Sequence, residues 1–227
     1  MKPVLALLLV AFSSVNASPE DAAMRPLFNR KDLTGWKHEP GKMENWTVVD
    51  GILKHNGEKG VISDLWTEAS YGDFVLSFEW RWAGRGPRKA QPVVLPDGTE
   101  KRNAAGEVER VEIEELDSGI YLRGSTKSQV NLWGWPIGSG EVYGYRTDAT
   151  MPAEVRAGVT PKSKADRPVG EWNQMTITMK GDRLTVLLNG VVVINEAQLP
   201  GISPRGPIGL QHHGAALDFR KIQIKEL

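Results

Sequence analysis

Apolar and polar residues alternate along almost the whole chain, and helical spacing never lasts beyond about one turn. Two alternating pairs are joined by two-residue turns. Asp50-Gly51 lies between WTVV and ILKH, and Asn189-Gly190 lies between RLTVLL and VVVINE. These dipeptides tolerate the positive φ that a tight hairpin requires. Strands with one apolar face must bury it against a second sheet, so the sequence predicts an all-β antiparallel sandwich.

Six further segments are predicted to be strands: DFVLSFEWRW, GIYLRG, SQVNLW, WNQMTITMKG, GPIGLQHHG and FRKIQIKEL. Residues 83–110 break the pattern, because they are rich in Gly, Pro, Lys and Arg and contain the turn LPDGTE. We interpret them as an irregular excursion between strands. Residues 18–227 are therefore expected to form a single sandwich domain.

Residues 1–17 are predicted to be a secretory signal peptide. Lys2 precedes the apolar run VLALLLVAF, which is too short to span a bilayer, and cleavage is expected after Ala17. The chain contains no cysteine, which leaves no disulfide framework and no lipid anchor. We therefore expect a periplasmic or extracellular bacterial protein without a membrane anchor.

Charge and aromatic content indicate the class of partner. Lys and Arg number 28, as do Asp and Glu, so no net field attracts nucleic acid. The chain has eight tryptophans against five phenylalanines, and an indole face stacks well on a sugar ring. Most tryptophans in proteins fill the core, which is the alternative for each of these. A small carbohydrate is the expected partner.

The phase of the predicted strands places a polar and aromatic group of side chains on outward faces. Inward positions hold mainly Ile, Leu, Val and Phe, and His212 is also predicted to face the core. The outward positions hold Glu79, Tyr121, Arg123, Gln129, Asn131, Trp133, Gln211 and His213. If the strands are neighbours, these side chains form one binding patch; otherwise they belong to an ordinary solvated sheet face.

Several segments resemble a known family, the 3-keto-disaccharide hydrolases. The similar segments are LWTEASYGDFVLSFEWR, GIYLRG, WPIGSGEVYGYRTD, GEWNQMTITMKGDRLTVLLNGVVV and GPIGLQHHGAALDFRKIQIKEL. The resemblance extends from about Pro26 to Leu227. It implies a jelly-roll sandwich of the concanavalin A-like lectin/glucanase type, and a secreted enzyme that cleaves 3-keto-glycosides or 3-keto-disaccharides.

The chain departs from the family pattern at two places. The family usually has Asn-Ser-Gly where this chain has Asp117-Ser118-Gly119. It commonly has Asp-His where this chain has His212-His213, which leaves His213 as the matching histidine.

The implied reaction assigns catalytic roles to three outward residues. A ketone at C3 acidifies the proton at C2, so a base can remove it and the enolate can expel the C1 substituent. His213 is the candidate base or acid, since histidine is the residue type that ordinarily titrates near neutrality. Arg123 is the candidate for holding the keto oxygen, and Glu79 either orients the histidine or is itself the base. We expect His213 and Arg123 to act on one substrate oxygen or on adjacent atoms.

A larger set is expected to bind the sugar. The glycine-rich segment LWGWPIGSGEVYGYRTD is predicted to be a loop that walls the pocket. The expected substrate contacts are Tyr121, Gln129, Asn131, Trp133, Trp135, Glu141, Tyr143 and Gln211. A divalent metal bound by His213 and Glu79 is an alternative to Arg123 as the electrophile, although no close His, Asp or Glu spacing indicates one.

A non-catalytic, lectin-like carbohydrate-binding module is the alternative from another functional class. The same sandwich supports both, and exposed aromatic residues suit either. A binder of neutral sugars does not require the ionisable residues Glu79, Arg123 and His213, which favours the enzyme.

Direct glycoside hydrolysis by the acidic run EIEELD is a further alternative. Glu112 and Glu114 have the alternate spacing of a carboxylate pair on one strand face. The next residue on that face is Leu116, so a third acid is missing unless a bulge brings Asp117 round. An ordinary solvated strand is the favoured interpretation.

Overall fold

The computed structural model describes residues 23–37, 45–58 and 63–227, and the predicted signal peptide lies outside these ranges. The described chain forms two packed antiparallel sheets and two short helices, which confirms the predicted sandwich. None of the helices in these ranges has the length and apolar character needed to cross a membrane.

The bounds of the elements follow in chain order. The strands are β1 (Arg25–Pro26), β2 (Trp36–Lys37), β3 (Trp46–Val49), β4 (Ile52–His55), β5 (Leu65–Thr67), β6 (Phe74–Trp82), β7 (Arg88–Pro92), β8 (Arg110–Glu114), β9 (Asp117–Leu122), β10 (Ser125–Trp133), β11 (Asn173–Lys180), β12 (Arg183–Leu188), β13 (Val191–Gln198), β14 (Gly209–Leu210) and β15 (Leu217–Glu226). The helices are α1 (Tyr143–Arg146) and α2 (Ala153–Gly158).

The larger sheet has the order β13-β12-β11-β6-β15-β4-β3, with β1 also paired to β15. The smaller sheet has the order β10-β9-β14-β5-β2, and β7 and β8 form a separate ribbon. Both predicted hairpins are present, since β3 pairs with β4 and β12 with β13. Asp50 and Asn189 adopt φ values of 53° and 51° there, the conformation for which these residue types are suited.

The inward faces of the two sheets form one hydrophobic core. Alternate residues of β6 meet those of β9, β10 and the β14 segment, and each is at most 2% exposed: Phe74, Leu76, Phe78, Trp80, Ile120, Leu122, Val130, Leu132, Ile208 and Leu210. The predicted strand phases are therefore confirmed. Tyr121, Gln129, Asn131, Gln211 and His213 consequently belong to the outer face of the smaller sheet.

His212 faces the core, as its phase predicted. Its Nδ1 accepts a hydrogen bond from the Ser63 amide at 3.2 Å, and its Nε2 lies 2.9 Å from the Glu58 carbonyl oxygen. Its ring contacts the buried ring of His55 edge-on, with centroids 4.3 Å apart. Burial lowers the pKa of His55 to about 4, so His55 is neutral at pH 7. These two histidines connect elements within the core, and of the histidines in the described ranges His213 is the one that faces outward.

Glu79 lies on the sheet opposite to His213. It belongs to β6, between β11 and β15 in the larger sheet, and its carboxylate accepts hydrogen bonds from Arg220 at 2.5 Å and Lys221 at 2.6 Å. Partial burial opposes ionisation, but these two bonds outweigh it and hold the pKa of Glu79 below its usual range. The expectation that Glu79 orients His213, or shares a metal with it, is therefore wrong. Strand phase distinguishes inside from outside but does not identify the sheet.

Arg123 is a structural link between the two sheets. It follows β9 with a φ of 50° and is only 3% exposed. Its guanidinium donates hydrogen bonds to the carbonyl oxygens of Gly72 at 2.8 Å, Gly181 at 2.7 Å and Ser203 at 3.2 Å, and it pairs with Asp73 at 2.8 Å. All of these acceptors lie in loops and turns at one end of the sandwich.

Arg123 and His213 do not share a site. The backbone amide of Gln211 donates to the Gly119 carbonyl oxygen, and His213 consequently lies beside Asp117. Asp117 precedes Arg123 by six residues, which is about 20 Å of extended strand. The expectation that both residues act on one substrate oxygen is wrong, because the left-handed turn at Arg123 directs its side chain towards the end of the sandwich.

Residues 83–110 are more regular than the sequence suggested. Residues 88–92 pair with β8 as a two-stranded ribbon, and the isolated bridges Val94↔Glu100 and Arg102↔Val108 extend the pairing. The regularity was hidden because β7 reads RKAQP, in which apolar and polar residues do not alternate, although β8 does alternate as RVEIE. The ribbon brings Lys89 and Gln91 to the outer face of the smaller sheet.

Candidate functional site

A cavity of about 440 Å³ lies on the outer face of the smaller sheet. It collects residues from β9, β10, the segment after β14, the ribbon, and the loop that follows β10. The predicted site residues that line it are Gln129, Asn131, Trp133, Trp135, Tyr143, Gln211 and His213. The lining also includes six residues that the sequence prediction of the site omitted: Lys89, Gln91, Glu115, Asp117, Thr126 and Gly144.

His213 and Asp117 form a pair at one end of this cavity. Nδ1 of His213 lies 3.2 Å from Oδ2 of Asp117; the imidazole is half exposed and the carboxylate is mostly buried. Because Nδ1 faces the carboxylate, Nε2 is the ring nitrogen that remains for a substrate proton. An imidazole oriented by a carboxylate in this way can act as a general base.

The Asp117 carboxyl is a weaker acid than an ordinary aspartic acid side chain, because its pKa is raised. Burial raises its pKa to about 6, the electrostatic interaction with His213 opposes the rise, and the Glu115 carboxylate adds to it. A carboxyl group that titrates this close to neutrality is typical of functional sites. Asp117 was identifiable in the acidic run of the sequence, but only the fold shows that it faces a cavity and a histidine.

The acidic residues that face the cavity are not the pair that the alternate spacing of EIEELD suggested. The strand breaks between β8 and β9, where the Glu115 amide donates to the Pro87 carbonyl oxygen and Leu116 turns into the core. Glu115 and Asp117 consequently line the cavity, whereas Glu112 and Glu114 do not. Glu112 and Glu114 belong to the ribbon strand β8, whereas Glu115 lies in the break and Asp117 begins β9 of the smaller sheet.

Asp117→Asn is expected to stabilise the protein at pH 7. The folded-state pKa lies above the ordinary value of 3.8, so the stability that this carboxyl contributes is present below about pH 4 and is lost as the pH rises through about 6. Removing the charge should raise the free energy of unfolding at pH 7 by about 1 to 3 kcal/mol. Thermal unfolding at pH 7 and pH 4 tests this. The gain in stability should be absent at pH 4. An equal gain in melting temperature at both pH values would contradict the raised pKa of Asp117.

An amide pair forms the floor of the cavity. Gln129 Nε2 donates to Gln211 Oε1 at 2.5 Å, across the intervening strand β9. The Gln129 side chain lies over Gly119, where an added Cβ would approach its Nε2 to 2.2 Å. A side chain at position 119 would therefore displace the Gln129 amide from this pair. The amides retain further donor and acceptor capacity for sugar hydroxyls.

Tyr121 lies beside the cavity rather than in its lining. Its ring stacks on Trp66 with centroids 5.2 Å apart, and its hydroxyl hydrogen-bonds with the Gln211 side chain. Burial raises the pKa of this phenol, and the nearby Asp64 carboxylate adds to the rise. Tyr121 therefore supports the amide floor.

Glu141 does not bind substrate directly. Its side chain is fully buried and forms an ion pair with Arg146, whereas its backbone carbonyl oxygen accepts a hydrogen bond from Asn131 Nδ2 at 3.2 Å. The expectation that Glu141 contacts the sugar is wrong, because the loop folds this residue under Asn131. Its contribution is to position Asn131, which does line the cavity.

Three aromatic rings form one wall. Trp133 and Trp135 stack face to face with centroids 4.3 Å apart and planes 4° apart, and Tyr143 meets both rings edge-on at 6.1 Å. The predicted loop over residues 132–148 does wall the cavity, although Tyr143–Arg146 form one turn of helix, α1, within it. This wall provides a platform for an apolar sugar face.

Trp135→Ala is expected to raise KM for the sugar about 10-fold, which corresponds to about 1.4 kcal/mol of lost binding. Trp135 is only partly buried, so the melting temperature should change little. Steady-state kinetics and thermal unfolding measure the two effects. Trp172→Ala is the matched control, because this partly buried tryptophan stacks on Arg81 and Arg220 of the larger sheet. A large loss of stability with unchanged KM would contradict a binding role.

No cluster of three or more His, Asp or Glu side chains with the arrangement of a metal site occurs in residues 23–37, 45–58 and 63–227. The metal ligands suggested by the sequence, His213 and Glu79, lie on opposite sheets. The described cavity therefore provides the His213–Asp117 pair rather than a recognisable set of metal ligands.

Solved structures that share the fold of this chain include two candidate glycosyl hydrolases and a carbohydrate-binding module. A candidate glycosyl hydrolase from Parabacteroides distasonis ATCC 8503 is 25% identical, with a TM-score of 0.59 over 90% of this chain and 84% of that one. A second candidate glycosyl hydrolase from the same organism is 19% identical, with a TM-score of 0.58 over 92% and 96%. The carbohydrate-binding module CBM66 from Bacillus subtilis is 15% identical, with a TM-score of 0.51 over 85% and 96%.

Sequence comparison identifies the family more directly. No curated protein matches the chain. The family of the 3-keto-alpha-glucoside-1,2-lyase-like domain matches residues 23–225, which include the whole lining of the cavity and all of the described strands except the last residue of β15. Because the match extends over nearly the full described length, the chain belongs to the 3-keto-alpha-glucoside-1,2-lyase-like domain family, that of the 3-keto-disaccharide hydrolases.

Proposed function

We propose that this protein cleaves 3-keto-glycosides or 3-keto-disaccharides by removing the proton at C2 and releasing the C1 substituent. The observation that carries the proposal is the His213–Asp117 pair, at 3.2 Å, in the aromatic-walled cavity. Membership of the family supports the same substrate class.

The reaction uses the pair as a base. Nε2 of His213 takes the C2 proton, and Asp117 stabilises the resulting imidazolium through the Nδ1–H group. The C2–H electron pair forms the C2=C3 bond of an enolate. Collapse of the enolate expels the C1 oxygen, which takes the proton held by His213 and returns the imidazole to its neutral form. The product is an enone. Addition of water at C1 then gives the free 3-keto sugar. These reaction steps together involve no net oxidation or reduction.

The remaining cavity residues position the sugar. The amides of Gln129 and Gln211 and the side chain of Asn131 are placed to bind hydroxyls, and Trp135 and Tyr143 supply the platform. Holding the C2–H bond against a fixed imidazole converts binding into rate acceleration. Export through the leader at residues 1–17 belongs to the same proposal, and it would place the enzyme in the periplasm or outside the cell.

A lectin-like module is the second candidate. The shared fold of CBM66, the aromatic wall and the amide floor would suit the binding of a sugar without cleavage. The Asp117 carboxyl weighs against this candidate, since its raised pKa results from an unfavourable burial of charge that a binder of neutral sugars does not need.

One assay separates the candidates. The protein is incubated with a 3-keto-disaccharide and, separately, with the unoxidised parent disaccharide, while NMR follows the products and calorimetry measures binding. We expect cleavage of the keto form alone. Cleavage of the parent would instead indicate ordinary glycoside hydrolysis, and binding of either sugar without turnover would indicate a lectin.

A further inference from the structure

The proposed reaction creates a negative charge on the oxygen at C3, and a cation placed there would lower the barrier. Arg123 cannot provide it, because its guanidinium is buried at the end of the sandwich among carbonyl oxygens and Asp73. Of the described residues that line the cavity, Lys89 alone carries a lysine or arginine charge. We propose that Lys89 binds the enolate oxygen, a role that rests on the proposed function.

The ribbon and the acidic run hold Lys89 in place. Lys89 Nζ lies 3.0 Å from Oε1 of Glu115, and Oε2 of the same carboxylate accepts a hydrogen bond from Gln91 at 2.5 Å. Glu115 is two residues from Asp117 and lines the same cavity, so the ammonium is anchored near the end that contains His213. An ammonium has three N–H donors, and donors not used by Glu115 are available to a ligand.

The Lys89–Glu115 ion pair differs from a second pair of the same excursion in its carboxylate, although both lysine side chains are exposed, 59% for Lys89 and 49% for Lys101. The same excursion contains Lys101, which pairs with Glu109 at 2.7 Å away from the cavity. The partner of Lys89 is more deeply buried, with 17% of the Glu115 side chain exposed against 35% for Glu109. The Glu115 carboxylate is also bound by Gln91, which restricts where the ammonium can lie.

The step is balanced without proton transfer from Lys89. The C2–H bond breaks, its electron pair forms the C2=C3 bond, and the π pair of the C3 carbonyl moves onto oxygen. The ammonium stabilises that oxyanion by charge and a hydrogen bond, while the proton resides on His213. Return of the proton to C2 reverses the step, so enolisation can be measured separately from loss of the C1 group.

A substrate analogue without a C1 leaving group isolates this step. 3-Keto-1,5-anhydroglucitol in D₂O should exchange its C2 proton on the wild-type protein, and NMR follows the loss of the signal. Lys89→Met is expected to lower the limiting exchange rate about 10² to 10³-fold at every pH, as for loss of an oxyanion donor. Lys89→Arg should retain part of the rate. Lys101→Met is the matched control and should exchange at the wild-type rate.

The outcomes distinguish this role from others. Lys89→Met should unfold at nearly the wild-type temperature, since an exposed ion pair contributes about 0 to 1 kcal/mol. A shifted pH profile with a normal limiting rate would show that Lys89 acts only through Glu115 and Asp117, and would overturn the role. Normal exchange with lost cleavage of a 3-keto-disaccharide would place Lys89 at the leaving group instead, and would also overturn it. Absence of exchange in the wild type would overturn the proposed function, and this role with it.

Discussion

His213→Ala is expected to lower kcat for a 3-keto-disaccharide by about 10² to 10⁴-fold, the usual effect of losing a general base. KM should change little, because the aromatic wall and the amide floor remain to bind the sugar. Steady-state kinetics measures both constants. Added imidazole should restore part of the rate, since it can enter the space that the side chain leaves.

Two further variants test whether His213 works as a pair with Asp117. The double substitution His213→Ala with Asp117→Asn should cost less than the sum of the single effects, because one step uses both groups. Glu79→Gln is the control from the opposite sheet and should leave kcat unchanged. Full activity in His213→Ala, or fully additive effects in the double variant, would show that the pair is not the base.

Arg123→Ala is expected to lower the free energy of unfolding by about 2 to 4 kcal/mol, because it removes the partner of Asp73 and of several carbonyl oxygens at once. In a domain of this size, such a loss corresponds to roughly 5 to 15 °C in melting temperature. Denaturant and thermal unfolding measure it. The protein that remains folded should keep its kcat, since Arg123 contacts nothing in the cavity.

The control for Arg123 is Arg183, an exposed arginine with two long contacts, one to Asp182 and one to the Glu196 carbonyl oxygen at 3.3 Å. Arg183 lies 3.6 Å from Asp182 and is half exposed, so Arg183→Ala should change the free energy of unfolding by at most about 1 kcal/mol. Arg123→Lys should have an intermediate effect, because a lysine can replace only some of the hydrogen bonds. Normal stability together with lost activity in Arg123→Ala would instead indicate that Arg123 has a catalytic role, and would contradict this prediction.

The sequence by itself determined the local features of this protein. The hairpins at Asp50-Gly51 and Asn189-Gly190, the strand phases and the core position of His212 follow from φ preferences and from a period of two, which are properties of neighbouring residues. The glycine-rich loop that walls the cavity was recognisable for the same reason. The resemblance to a family then indicated which outward residues to consider, and most of the predicted sugar-binding residues do line one cavity.

Only the tertiary structure decided which outward residues meet. Glu79 has the same phase as a site residue but lies in the other sheet, and Arg123 follows a left-handed turn that directs it to the end of the sandwich. The partner of His213 is Asp117, and Lys89 reaches the same cavity on β7, a ribbon strand whose sequence RKAQP lacks a period of two. Alternation in sequence specifies a side of a strand, whereas strand order and breaks between strands depend on long-range pairing that no local pattern encodes.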